Sequence, residues 1–370
     1  MKFYKVIVLC LFFFSNAKGI KSKEIFQYDS IKIKISQMLI FGIKEANKVL
    51  EEDSLFKAYS NMNLGGIILF EKNIANKRSK YHLKSLTSEI QKVSKIPSFI
   101  AIDEEGGNVT RLKPKYGFHK TKTAKYLGNR NDLDSTYYYA KLTSDLLKEL
   151  GINMNLAPTI DLEENENNFI SKAERSYGKD TDRVYFHAKK FIDAHDENKI
   201  ITVLKHFPGH GSSSTDTHKE FTDISETWSV QELYPYQYLI RDKKVLGVMT
   251  SHVVNKKIDD KMLPATLSYN MIEKLLREFL KFDGVIISDD MQMGAITKYY
   301  GLKESIILSI NAGVDLLLFS NNQLYKDQID PNEVISIINE GVQNGEIPIQ
   351  RINESFKRIQ KLKKTMDIIN

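Results

Sequence analysis

Ile200-Ile201-Thr202-Val203-Leu204-Lys205-His206-Phe207-Pro208-Gly209-His210-Gly211 runs from an aliphatic, β-branched stretch straight into a polar, glycine-flanked loop, and Asp216-Thr217-His218 follows shortly after. The apolar stretch reads as a strand buried on both faces, the kind found in parallel sheets. Its polar continuation puts Lys205 and His206 at the strand's C-terminal tip, where a catalytic loop would leave the sheet. Gly209 and Gly211 allow the backbone to bend sharply there. In the Asp216-x-His218 pair, one carboxylate can orient one imidazole, which makes a histidine a directed general acid/base.

Seven further runs share the pattern, bounded by Gly, Asp or Asn, so that eight strands are expected: Gln37–Ile43, Gly66–Phe70, Ser98–Asp103, Asn153–Asp161, Ile200–His206, Val245–His252, Gly284–Asp289 and Val314–Ser320. Gln37–Ile43 also reads as part of a helix, and the Asn153–Asp161 limits are loose. Amphipathic stretches separate the runs: Ser79–Val93, Asp134–Glu149, Asp182–Asn198, Ser268–Leu280 and Leu302–Ala312. Strands alternating with helices predict an α/β fold, a single-domain (β/α)8 barrel of the TIM type, with a doubly wound open sheet as the alternative. Polar residues gather at the strand ends, at Asp103, Asp161, Lys205-His206, Ser251-His252, Asp289-Asp290 and Ser320-Asn321. A barrel brings all these ends to one face around one pocket, whereas an open sheet scatters half of them. That convergence favours the barrel.

The first residues carry an address of another kind. Met1-Lys2-Phe3-Tyr4-Lys5 is basic, Val6 to Phe14 is apolar, and Ser15-Asn16-Ala17 supplies small residues. This order predicts a signal peptide over residues 1–17, a leader over 18–35 and the barrel over 36–370, with export to the periplasm or the medium. The only cysteine, Cys10, falls in the signal segment, so disulfides, thiolate metal ligands and a cysteine nucleophile are excluded after cleavage. No later stretch is long and apolar enough to span a bilayer. The net charge of +6 includes Lys2 and Lys5 and is otherwise spread over lysine-rich helices. The run from Arg351 to Lys364 reads as a solvated amphipathic helix face, and without a basic-aromatic platform nucleic acid is not an expected partner. A monomer is expected.

Three more constellations carry chemistry. Gly284-Val285-Ile286-Ile287-Ser288-Asp289-Asp290 ends a strand on Asp289, a carboxylate placed to be a nucleophile opposite His218, while Asp290 is the readier helix N-cap. Ile102-Asp103-Glu104-Glu105-Gly106-Gly107, followed by Arg111, suits the binding of hydroxyl groups or of a cation. Glu174-Arg175-Ser176-Tyr177-Gly178 can place an arginine fork over the pocket, or form a surface ion pair. A rival reading takes His206, His210, His218 and Asp216 as a zinc set, with His252 added, in a (β/α)8 metallohydrolase; it crowds the ligands into one loop. A second rival is a sugar-binding protein without catalysis.

Taken together, these motifs resemble glycoside hydrolase family 3, in its single-domain β-N-acetylglucosaminidase branch. The resemblance is carried by Gly65 to Phe70, Ile102 to Gly107, Asn155 to Asp161, Glu174 to Gly178, Lys205 to Gly211 with Asp216-x-His218, Pro264 to Ser268, and Gly284 to Met291, in the family's order. It implies a retaining, exo-acting β-N-acetylhexosaminidase that needs no cofactor and no metal. Asp289 matches the nucleophile, His218 the acid/base and Asp216 its partner. Asp103, Arg175, Lys205 and His206 match the positions that hold the innermost sugar, with Arg111 an addition. Asn108 and Ser212 stand where the family often has Arg and Asp. Family members with two domains draw their acid from the second; the histidine fits a chain of one. The expected partner is a small carbohydrate, a peptidoglycan fragment or a chitooligosaccharide. A β-glucosidase-like or phosphorolytic member of the family is the alternative.

Overall fold

Short strands that are apolar on both faces need cover inside and outside, and a ring of parallel strands wrapped in helices supplies both. The computed structural model describes residues 30–43, 62–214, 222–322 and 328–369. Eight strands form the barrel: β1 (Leu39–Gly42), β2 (Gly66–Leu69), β3 (Phe99–Ile102), β4 (Met154–Asn155), β5 (Ile201–Phe207), β6 (Gly247–Thr250), β7 (Val285–Asp290) and β8 (Leu316–Phe319). Each pairs in parallel with its sequence neighbour, and β8 closes on β1 through Leu39↔Leu317 and Phe41↔Phe319. Inside the seam, the Phe41 and Phe319 rings stack 4.9 Å apart. The expected barrel is therefore the observed fold. The expected signal segment, Asp216 and His218 lie outside the described residues.

Outside the ring run Ser79–Val93, Leu133–Glu149, Thr181–Asp196, Leu302–Ala312 and Pro331–Gln343, among others. Several open on an aspartate cap: Asp132 accepts from the amide of Asp134 (3.1 Å) and Asp180 from that of Arg183 (2.7 Å). The expected helix at 268–280 is π-helical over Asn270–Phe279.

Three limits move. Residues Ile31–Gln37 form a helix and β1 starts only at Leu39, so the folded unit reaches back across the expected boundary at residue 36; Ile35 is fully buried and anchors it. β4 holds two residues in place of the nine expected, and beyond it pairing with β5 is interrupted at Pro158, which has no N–H to give, and returns in the Thr159–Lys205 bridge. Register also slips twice. Leu204 faces Val248 but Phe207 faces Thr250, so β5 holds one extra residue; Ile287 faces Leu316 but Asp290 faces Leu318, so β7 does too. Each is a local break in register, and an extra residue re-aims the side chains beside it.

The C-terminal helix Ile349–Thr365 is not simply a solvated basic face. Arg351 and Arg358 turn inward with Arg277 onto the fully buried Asp315. Lys363 is also fully buried and gives its ammonium to Gln37 Oε1 (2.8 Å) and Pro97 O (2.7 Å), with the Phe99 ring 4.8 Å away. Among the described residues no carboxylate offsets its burial, which pulls the ammonium down to about 7. The unfolded chain keeps this proton up to about 10.5, so between those values the unfolded state binds more protons and stability rises with pH. In the Lys363→Met variant the rise in melting temperature between pH 7 and pH 9.5 should be shallower than in the parent. Parallel curves would show that Lys363 does not carry the effect.

Candidate active site

Because all strands of a parallel barrel point one way, their C-terminal ends share a face, and a pocket of about 290 Å³ opens there. Asp103, Arg111, Arg175, Lys205, His206 and Asp289 all line it, together with Asp290, Phe70, Phe169 and Met293. Six of the eight site residues named from sequence thus meet in one cavity. It lies just below the usual ~300–1,000 Å³ range for ligand pockets.

The two breaks in register explain how adjacent residues come to line one wall. In a regular strand Lys205 and His206 would point to opposite faces, and so would Asp289 and Asp290. The extra residue in β5 and in β7 turns both members of each pair to the pocket.

Lys205 is the hub of the floor. Its ammonium, 3% exposed, reaches Asp103 Oδ1 at 2.8 Å and Glu105 Oε1 at 2.7 Å. Arg111 donates to Asp103 Oδ2 at 3.1 Å. Arg175 forks onto Glu105, Nε to Oε2 at 2.9 Å and Nη2 to Oε1 at 2.7 Å. The pair is buried, so Arg175 is not in a surface ion pair. Burial works against ionisation of both acids, yet Lys205 and Arg111 hold Asp103 below its ordinary value, and Arg175 and Lys205 hold Glu105 well below its own. Both stay charged at neutral pH.

His206 is fixed on both sides. Asp161 Oδ2 lies 2.7 Å from Nδ1, and Arg175 Nη2 lies 3.2 Å from Nε2. A guanidinium only donates, so Nε2 accepts and Nδ1 carries the hydrogen given to Asp161. The three acids after Ile102 divide their tasks. Only Asp103 meets the cavity; Glu105 lies beneath it, and Glu104 turns into its own loop, accepting from the amides of Arg111 (2.9 Å) and Leu112 (3.1 Å). Asn155 clamps that loop by bonding both the N–H and the C=O of Glu104 at 3.0 Å.

At the tip of β7, Asp289 Oδ1 accepts from the Asp290 amide at 2.7 Å. Asp290 is not the helix cap it resembled. Its carboxylate accepts from Ser320 N (3.0 Å) and Gln292 N (3.2 Å), tying β7 to β8, while the helix Gly294–Thr297 has no side-chain cap. Burial first, and the neighbouring Asp289 last, push Asp290 up to about 6.

The stem of the loop that leads to Asp216 and His218 is held from two sides. Asp161 accepts from the His206 and His210 amides (3.2 and 2.8 Å), and Glu232 from the Gly211 amide (3.1 Å). A Cβ on Gly211 would lie 1.7 Å from Leu162 O, and Gly209 has φ +119°, so both glycines are required. Burial pushes Glu232 up to about 8, so it is mostly neutral at pH 7. From sequence, Glu105 belonged to an acidic strand-end cluster whose members could not be told apart, Asp161 was one of the polar strand ends, and Glu232 carried no signal.

Of the alternative zinc set, Asp216 and His218 lie outside the described residues, and only His206, His210 and His252 can be placed. Both ring nitrogens of His206 are engaged, and those of His252 face Thr266 Oγ1 (2.9 Å) and Asp290 O (3.0 Å). No group of three His, Cys, Asp or Glu is placed to hold a metal among the described residues. Burial drives His210 down to about 4.

Replacing Glu105 by Gln strands the Arg175 and Lys205 cations with one acid fewer, at a cost of about 3–5 kcal/mol for a broken buried pair. The same change at Glu71, which binds Lys113 and Lys115 with 32% of its side chain exposed, should cost under about 1 kcal/mol. Urea unfolding of both variants checks this, and equal losses would contradict it.

The sequence family described as the glycosyl hydrolase family 3 N-terminal domain matches residues 30–362. Beta-hexosaminidase A of Pseudoalteromonas piscicida is 29% identical over 337 residues, which cover 84% of this chain and 54% of that protein. A protein of Arthroderma benhamiae named as an uncharacterized secreted glycosyl hydrolase is 29% identical over 84% of this chain and 87% of its own length. The solved glycoside hydrolase family 3 β-N-acetylglucosaminidase of Paenibacillus sp. str. FPU-7 superposes with a TM-score of 0.81 at 32% identity, over 92% of this chain and 63% of that one. The chain thus spans little more than half the length of some of its relatives and most of the length of others. On the match of residues 30–362, it belongs to glycoside hydrolase family 3.

Proposed function

We propose that this chain is a retaining, exo-acting β-N-acetylhexosaminidase that removes a terminal β-linked N-acetylhexosamine through a covalent glycosyl-enzyme. The observation that carries the reading is the asymmetry of the pocket. One wall is a charged cradle of Asp103, Arg111, Arg175, Lys205 and His206, suited to the hydroxyl and amide groups of one sugar. Across the barrel mouth stands Asp289, on a strand end braced by Asp290. The relatives named as hexosaminidase and β-N-acetylglucosaminidase point to the same sugar.

In this reading Asp289 attacks the anomeric carbon while His218, oriented by Asp216, gives its proton to the leaving oxygen. The aglycone departs as an alcohol, and a β-linked substrate becomes an α-linked glycosyl ester on Asp289. Water then enters, loses its proton to His218 and attacks the anomeric carbon, which restores the carboxylate and the β configuration. The cradle holds the sugar through both steps, and its ion pairs spare it rearrangement during the reaction. Export belongs to the same proposal. Residues 1–17 follow the signal order, one relative is named as secreted, and an intact mass that starts after Ala17 in the native host is the mark of it.

Two variants test the chemistry on aryl β-N-acetylglucosaminide and on chitobiose. Asp289→Ala should lose activity on both by about a thousandfold or more while its circular dichroism is unchanged. His218→Ala should lose about 10²–10⁴-fold on chitobiose and far less in forming the glycosyl-enzyme from the aryl glycoside, with azide restoring part of its turnover. A uniform loss on both substrates without azide rescue would remove His218 from the acid/base role. Covalent label from a slow fluorinated glycoside on any residue but Asp289 would remove the nucleophile assignment.

A further inference from the structure

Between Gly106 and Asn131 the chain has seven Lys or Arg and no Asp or Glu. This segment carries Arg111 into the active pocket and then wraps the outside of the barrel mouth, where it lines a second concavity of about 550 Å³. The two cavities share a wall. Val109 and Arg111 face the pocket, whereas Gly107, Asn108 and Thr110 face the groove; in the adjoining strap Arg175 faces the pocket and Glu174 the groove. The wall is the hairpin closed by the Gly106–Val109 bridge, so the two spaces lie back to back.

The cations are not neutralised alike. Arg111, Lys125 and Arg130 each have a carboxylate of their own, in Asp103, Glu163 and Asp132. Lys113 and Lys115 share the single carboxylate of Glu71. Lys120 and Lys122 make no ion pair among the described residues, and both line the groove. Tyr126 stands beside them, 43% exposed, with the Lys122 ammonium 4.6 Å from its ring centre. A concave surface on which Lys120 and Lys122 outweigh the carboxylate of Glu174, with an exposed aromatic ring and the amide of Asn108, offers charge to an anion and a flat face to a sugar ring. Scattered solvated lysines on a convex surface would offer neither.

We infer that this groove is a second carbohydrate subsite, which takes the carboxylated part of an acidic glycan whose terminal sugar enters the pocket. The inference rests on the glycosidase reading and narrows its substrate class. Lys120 and Lys122 contact the carboxylates, Tyr126 stacks on a sugar ring, and the hairpin between them sets the distance from the cleaved bond. The groove contributes binding and leaves the chemical steps to the pocket.

The probe is a hyaluronan pentasaccharide that ends in β-N-acetylglucosamine and carries glucuronate next to it; chitopentaose is the neutral control. The full chain should show a kcat/KM at least about fivefold higher for the acidic sugar at low ionic strength, and the preference should vanish in about 0.3 M salt. In the double variant Lys120→Gln/Lys122→Gln the preference should be lost while the rate on chitopentaose stays within about twofold of the parent. Absence of the preference in the parent, or its survival in the double variant, overturns the inference. If the parent cleaves neither sugar, the glycosidase reading fails, and titration of the hyaluronan pentasaccharide into parent and double variant decides the groove by itself. Binding lost in the variant upholds it; equal binding, or none in the parent, overturns it.

Discussion

Lys205, held between Asp103 and Glu105 with almost no exposure, is the contact on which the mouth of this barrel depends. It reaches from β5 over the two-residue β4 to the loop after β3, and through Glu105 it draws in Arg175. Moving each of these charges out of water costs several kcal/mol, and their mutual attraction offsets that only in good geometry. A barrel seeking stability alone would fill the space with apolar side chains. Ions retained at the open end of a pocket mark a site whose charges are needed there.

The lower half of the barrel treats charge differently. Asp315 is fully buried but surrounded by Arg277, Arg351 and Arg358, by Ser355 Oγ at 2.8 Å and by the Ile286 amide at 3.0 Å. None of these groups meets the pocket, and the cluster binds the C-terminal helix to the strands above it. Conserving hydrogen bonds there supports the fold, while charge at the C-terminal ends of the strands supports chemistry. Lys363 is the exception below, a buried cation with no acid beside it among the described residues, and its proton ties the stability of the fold to pH.

The stem of the 208–213 loop is fixed by side chains from several other segments. Asp161, charged, and Glu232, largely neutral, each take backbone amides from it, Trp228 Nε1 donates to Pro208 O at 3.1 Å, and Asn168 Nδ2 gives hydrogen bonds to His210 O and Ser213 O at 2.8 Å. Gly211 lets the stem lie against Leu162. Asn168 also caps the short helix Phe169–Lys172, whose first ring lines the pocket and stands 5.3 Å from the Arg175 guanidinium. Loop stem, cradle and pocket rim are therefore one hydrogen-bonded unit.

The order of strands and helices, the barrel and the gathering of polar residues at one end were legible in the chain itself, because apolar periodicity and strand-end polarity are local signals. So were Asp103, Lys205, His206 and Asp289 as strand-end members of one site, while Arg111 and Arg175 joined it through the family resemblance. What local pattern does not contain is register. The extra residue in β5 and in β7 turns Lys205 with His206, and Asp289 with Asp290, toward the same cavity, and only the pairing of whole strands decides that. Partner choice is equally remote. Glu105 meets Arg175 across 70 residues, and Lys363 meets Gln37 across 326, so neither the choice of Glu105 over Glu104 nor the burial of Lys363 was visible from neighbouring residues. Sequence specified which groups reach the mouth of the barrel; tertiary packing specified which of them face the pocket, because that depends on contacts between segments far apart in the chain.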